Sequence, residues 1–173
     1  TDGTESGTKL FEDINSGVDS SYPSNFILID NTKMYFNATT SSHGQELWRT
    51  DGTNFGTTLL FDNYPGTVYG APGERTVFNG SIYFNVSNPT ENGVVSSGNE
   101  LRRLGNFSYN IVKDINPGSG SSNPSNFYVF NNKLYFSAND SENGNELWVS
   151  NGVNNGTSLL KNIFPGSNSS PSN

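Results

Sequence analysis

Gln45-Glu46-Leu47-Trp48-Arg49-Thr50-Asp51-Gly52-Thr53 is the stretch that decides the fold, because its parts return along the chain. Glu-Leu recurs at Glu100-Leu101 and Glu146-Leu147, and Trp148 follows the last pair as Trp48 follows the first. Asp-Gly-Thr also stands at Asp2-Gly3-Thr4, while Ser150-Asn151-Gly152 keeps a weaker form of the turn and Leu104-Gly105-Asn106 weaker still. Working outward, a Tyr-Phe pair precedes each Glu-Leu, at Tyr35-Phe36, Tyr83-Phe84 and Tyr135-Phe136. A Pro-Gly turn follows, at Pro65-Gly66, Pro117-Gly118 and Pro165-Gly166, with Ser16-Gly17 in the same place earlier. These four glycines are 49, 52 and 48 residues apart. Self-similarity at a nearly fixed spacing of this size marks a tandem-repeat architecture.

The spacing errors fall where loops should be. Six extra residues separate Phe84 from Glu100, compared with the first and third units, and they lie in the polar stretch Asn88–Ser97. Insertions of that kind belong in surface connections. Four strands are predicted per unit. The first covers Asn25–Ile29, Arg75–Phe78 and Asn126–Phe130; the second covers Lys33–Ala38, Ser81–Val86 and Lys133–Ala138. The Asn- and Gly-rich links Asn31-Thr32, Asn79-Gly80 and Asn131-Asn132 suit hairpin turns of positive φ. The Glu-Leu strand is expected at Gln45–Thr50, Asn99–Leu104 and Asn145–Ser150, and the fourth strand at Thr8–Ile14, Thr57–Asn63, Asn110–Ile115 and Thr157–Ile163. No window has a 3.6-residue apolar period, which speaks against helix. The expected fold is therefore all-β: antiparallel four-stranded units of about 49 residues, of the size of β-propeller blades, with a β-solenoid as the alternative. Residues 1–23 read as the end of one unit, and 24–73, 74–123 and 124–173 as three more, in one array that is a segment of a longer chain or assembly.

Composition bounds the function. Only 31% of the 173 residues are hydrophobic and 14% charged, yet 13% are aromatic and regularly placed, which favours short strands over disorder. A net charge of −7 with no basic cluster argues against nucleic acid or anionic membrane surfaces as partners. No apolar run is long enough to cross a membrane as a helix. Cysteine is absent, so disulfides, Cys-based metal sites and thiol catalysis are excluded together.

The run from Gln45 to Thr57 resembles the ELWxxDGT repeat family, and Ile111–Gly118, Ser121–Pro124 and Leu134–Ala138 fit the same pattern over essentially the whole chain. Arg102 where Trp is expected, and the missing Asp-Gly-Thr near Gly105, depart from it. The resemblance implies propeller-like arrays in large secreted or surface-attached proteins, and it brings no catalytic residues. The Asp-Gly-Thr turn also resembles the Asp-box hairpin of sialidase-type propellers, where the motif is structural.

Candidate sites are weighed against this frame. Glu46, Glu100 and Glu146 recur at one position, as do Asp13, Asp62 and Asp114, and a residue present in every unit more naturally holds each unit together than performs one reaction. The structural motif set is Glu46, Leu47, Trp48, Asp51, Gly52, Glu100, Leu101, Glu146, Leu147, Trp148 and Gly152. Trp48 and Trp148 offer large apolar contact area, or a stacking face for a sugar. His43 is the sole histidine, so no triad or His-rich metal site is built on several. The oxygen-rich turns carry the donor types that Ca²⁺ takes, but no spaced Asp-x-Asp-x-Asp run exists, and no cofactor is expected. Seven N-glycosylation sequons stand at Asn37, Asn79, Asn85, Asn106, Asn139, Asn155 and Asn168. The expectation is a non-enzymatic structural or adhesive module at the cell surface or outside the cell, in a matrix or filament. Its partners would be other copies or further repeats of the same protein. The alternative is a ligand- or glycan-binding propeller that uses Asn88–Ser97.

Overall fold

The computed structural model describes residues 1–62, 66–67, 70–86, 90–91, 94–95, 97–105, 109–165, 169 and 171. The described residues are all-β except for one 3-10 turn at Asn154–Gly156, and the chain divides into two compact units, residues 1–69 and 70–173.

The first unit holds β1 (Ser24–Ile29), β2 (Lys33–Thr40), β3 (Gly44–Thr50) and β4 (Thr58–Phe61), antiparallel in sequential order. In the second unit, β5 (Arg75–Phe78), β6 (Ser81–Asn85), β9 (Leu101–Leu104) and β10 (Tyr109–Lys113) form a second such sheet. A third contains β11 (Ser125–Phe130), β12 (Lys133–Asn139), β13 (Asn145–Ser150) and β14 (Thr157–Lys161). Between β6 and β9 lie β7 (Thr90–Glu91) and β8 (Val94–Val95), a separate two-stranded ribbon within the inserted residues. Each sheet is open, and neither a closed barrel nor a closed propeller is present among the described residues.

Local chemistry explains the hairpins. Asn79-Gly80 and Asn131-Asn132 have positive φ at both positions, as a type I′ turn requires. The first hairpin differs from the expected Asn31-Thr32: Asp30 (φ 55°) and Asn31 (φ 60°) take the left-handed positions, and β-branched Thr32 is spared them. Thr32 N–H instead donates to Asp30 Oδ1 at 3.2 Å.

The predicted strand over Thr8–Ile14 does not form. Each fourth strand pairs with the Glu-Leu strand just before it in sequence, as β4 does with β3, β10 with β9 and β14 with β13. Among the described residues no strand offers Thr8–Ile14 such a ladder. The segment lies along the β1–β4 sheet as a strap, and Asn54 Nδ2 donates to Phe11 O (2.6 Å) and Glu12 Oε2 (2.7 Å).

The main core lies in the second unit, where two sheets bury one face each. Phe78, Tyr83, Leu101, Val112 and Ile115 from the β5–β10 side meet Phe127, Leu134, Phe136, Ala138 and Trp148 from the β11–β14 side. The alternation along the strands allows this, since Tyr83 points to one face while Ile82 and Phe84 point to the other. Burying each of the larger side chains stabilises the pairing by about 1.5–3 kcal/mol. Tyr83 Oη also donates to Gly152 O at 3.3 Å, a latch between the two sheets.

Candidate functional site

Three turns share one hydrogen-bond network. In the first sheet, Thr53 donates to Asp51 Oδ1 through both its N–H (3.0 Å) and its Oγ1 (2.7 Å), and Thr57 Oγ1 donates to Thr53 O (2.8 Å). The hydroxyls of Thr50 and Thr57 lie 2.8 Å apart at the base. Residues 1–8 repeat every one of these bonds without a sheet beside them. Ser150, Asn151, Val153 and Thr157 keep the base pair and the Asx bond. The turn is therefore a local property of its residues, an Asx-type device. Gly52 and Gly152 supply φ of 89° and 98°. Gly56 and Gly156 leave room for the capping side chain, because a Cβ there would lie within 2 Å of Asp51 or Asn151 Oδ1. The Thr53 hydroxyl and amide hold Asp51 below the ordinary carboxylate range. Its contribution to the turn is present above the unfolded pKa and fades as pH falls through the folded one.

The recurring glutamates are buried staples. Glu100, 0% exposed, accepts from Ile115 N (2.8 Å), Asn116 N (3.4 Å), Ser122 N (2.9 Å) and Ser122 Oγ (2.6 Å). One carboxylate thus ties the end of its own sheet to the segment that leads into the next. Glu146 accepts in the same way from Ile163 N (2.9 Å) and Ser169 Oγ (2.6 Å), tying the end of the third sheet to residue 169. Glu46, 1% exposed, occupies the corresponding place in the first sheet. Burial pushes the Glu100 carboxyl up, against the opposing bonds from Ser122, Ile115 and Asn116. At Glu146 burial acts in the same sense, but the bonds from Ser169, Ile163 and Phe164 prevail and hold it below the ordinary value. The serine partners were not singled out by the sequence reading. The available signal was Ser-x-Pro, at Ser122-Asn123-Pro124 ahead of β11 and again at Ser169-Ser170-Pro171.

The other motif residues are packed. Leu47 and Leu101 are buried, and Leu147 is half-buried. Trp148 lies in the core between two sheets, and neither indole N–H, Trp48 or Trp148, has a hydrogen-bond partner among the described residues. Arg102, in the corresponding place, is 5% exposed, with its guanidinium 5.3 Å from the Tyr109 ring centroid and Nη2 donating to Ser97 Oγ (3.1 Å). The cation keeps a packing role there through stacking.

His43 Nδ1 lies 2.8 Å from Ser42 Oγ and 3.2 Å from Thr40 Oγ1 in a turn, and among the described residues no carboxylate hydrogen-bonds it. Among the described residues no three His, Cys, Asp or Glu side chains cluster as metal ligands would. No helix of the described residues is long and apolar enough to cross a membrane.

The sequons separate by exposure. Asn37 is 3% exposed, and Asn85 Nδ2 donates to Pro124 O at 2.7 Å, so neither amide is presented to solvent. Asn79 sits in an exposed hairpin turn and Asn155 in the exposed 3-10 turn. Asn139 is half-buried and its Oδ1 accepts from Ser141 N. Asn106 and Asn168 lie outside the described residues. Expressed through a glycosylating secretory route, the chain should carry glycans at Asn79 and Asn155 and none at Asn37 or Asn85. Site-resolved glycopeptide mass spectrometry checks this, and occupancy at Asn37 would contradict the buried environment.

Large apolar side chains are also exposed among the described residues. A cleft of about 310 Å³ opens between the strap and the β1–β4 sheet, lined by Leu10, Phe11, Phe26, Met34 and Phe36. On the third sheet Tyr128 and Phe130 are 61% and 56% exposed beside Tyr135. Comparison with protein-family models and with curated proteins returns no match to this chain.

Proposed function

We propose that the chain is a non-catalytic structural or adhesive module of an extracellular surface, matrix or filament assembly, its three sheets serving as blades of a propeller-like array. The observation that carries this is the buried glutamate. Glu100, whose counterparts Glu46 and Glu146 are equally buried, is consumed by Ile115, Asn116 and Ser122 and fixes the path of the chain from its sheet to the next. The resemblance to ELWxxDGT repeats and the Asn/Ser/Thr-rich acidic surface support an extracellular setting. Its partners are other copies or further repeats of the same kind, and no cofactor is called for. Electron microscopy and mass measurement of the native particle test the reading. Rings, arcs or fibres with this chain as the repeating unit are expected, and a lone monodisperse monomer at high concentration would count against it.

One feature favours a second reading, a glycan- or ligand-binding propeller. The inserted residues build their own ribbon, β7–β8, outside the four-stranded sheet. Specific signal on a glycan array that disappears when Asn88–Ser97 are removed would move the assignment there.

A further inference from the structure

Among the described residues the second unit contains one sheet-on-sheet contact, and each of its two halves has a counterpart sheet face that is exposed. On the β5–β10 side the contact buries Phe78 (2% exposed), Val112 (7%) and Ile115 (4%). Their counterparts on the third sheet, by strand register and by distance from the Pro-Gly turn, are Phe130 (56%), Leu160 (49%) and Ile163 (52%). On the β11–β14 side the contact buries Phe127 (9%), whose counterpart in the first sheet is Phe26 (57%). The same residue types at the same strand positions are covered once and open once.

We propose that the open face of the β11–β14 sheet in one copy docks on the Phe26 face of the β1–β4 sheet in a second copy, reproducing between molecules the contact made once within the chain. This rests on the assembly reading above and names its interface. The occupant is a second copy because the chain itself shows what fits. Phe127 and Phe136 are covered by Phe78, Tyr83 and Leu101, and the incoming equivalents are Phe130, Tyr135 and Leu147. The cleft of about 310 Å³ beside Phe26 and Phe36 is the space they enter. Tyr83 Oη donates to Gly152 O within the chain, so Tyr135 Oη would donate to Gly52 O across the interface. The strap takes part as well. Phe11 and Ile14 stand at the positions of Val112 and Ile115, which Leu160 and Ile163 of the incoming copy also claim. Docking therefore displaces the strap, and the strap limits the affinity. The contact is head-to-tail, since the two patches differ, and it propagates from copy to copy into a ring or a filament.

The test uses the full chain with Phe26→Asp and Phe130→Asp, both at exposed positions, followed by sedimentation velocity and mass photometry. Wild type should self-associate progressively with concentration. Each variant alone should associate at least tenfold more weakly, as loss of an interface anchor requires. Mixed in equal amounts, the two should form a one-to-one dimer and nothing larger, because each retains the patch the other lacks. Tyr135→Phe should weaken association several-fold, and Phe11→Ser should strengthen it. Phe26→Ser and Phe130→Ser with unchanged unfolding midpoints guard against misfolding. Wild-type assembly insensitive to both Asp variants would overturn this interface and leave the assembly reading standing. A wild type that stays monomeric would sink both.

Discussion

Replacing Glu100 with Ala is expected to lower the stability of the second unit by about 3–5 kcal/mol, a large share of what a domain of this size possesses. The side chain is fully buried and accepts four hydrogen bonds, two of them from the backbone amides of Ile115 and Ser122 at 2.8 and 2.9 Å. Alanine leaves those donors without an acceptor where water does not readily replace it, and a buried unsatisfied group costs about 1–3 kcal/mol. The remainder comes from the cavity and from the severed tie between β10 and the segment entering β11. Urea unfolding read by tryptophan fluorescence checks the figure, because Trp148 lies in the adjoining core. A loss below about 1 kcal/mol would show that the staple does not hold the sheets. The pH dependence adds a second readout with opposite signs at two glutamates. Glu100 is pushed up in the fold, so the folded state binds its proton more tightly. Its contribution is greatest below the unfolded pKa and declines as pH rises through the folded one. Glu146 is held down, so its contribution is present above the unfolded pKa and is lost as pH falls through the folded one. Glu100→Gln should remove a fall in stability with rising pH, whereas Glu146→Gln should remove a loss on acidification.

What could be read from the sequence was local. Hairpins at Asn79-Gly80 and Asn131-Asn132 follow from residues that tolerate positive φ, and the strands beside them from period-two alternation such as Leu134, Phe136 and Ala138 on one face. The Asp-Gly-Thr turn closes even at residues 1–8, where no sheet supports it. Features that depend on a distant partner were not legible. Thr8–Ile14 have the composition of a fourth strand, but a strand exists only when a neighbour offers its edge, and they form a strap instead. The ribbon of Thr90–Glu91 with Val94–Val95 is hidden in a polar insertion, because so short a pair of strands carries little periodic signal. The recurrence of Glu46, Glu100 and Glu146 marked them as important, yet Ser122 follows Glu100 by 22 residues and nothing local joins them. Exposure of Phe26 against burial of Phe127 was equally hidden, since the two occupy the same position in the pattern.

Gly98→Ala is expected to be as damaging as loss of Glu100, by about 3 kcal/mol or more, for a different reason. Gly98 is two residues ahead of Glu100, as Gly44 and Gly144 are ahead of Glu46 and Glu146. Its backbone crosses the incoming segment so closely that a Cβ would sit 1.6 Å from Gly120 O and 2.7 Å from Ser121 Cα. These are main-chain atoms, with no flexible side chain to swing aside. The crossing is bonded next to Gly98 through both backbone groups of Asn99: Asn99 N donates to Ser121 Oγ (2.9 Å) and Asn123 N to Asn99 O (3.0 Å). A methyl group must therefore push the segment out and carry Ser122 away from the Glu100 carboxylate. Gly118→Ala is the control. Gly118 has φ of 80° but open space where a Cβ would go, so only the dihedral cost of about 1–2 kcal/mol applies. If clash rather than backbone strain governs, Gly98→Ala shifts the urea midpoint well beyond Gly118→Ala. Combining Gly98→Ala with Glu100→Ala should cost clearly less than the sum of the two, because both break the same tie. Full additivity in that cycle would mean that the close crossing and the carboxylate staple are independent, and that Gly98 is needed only for its own fit.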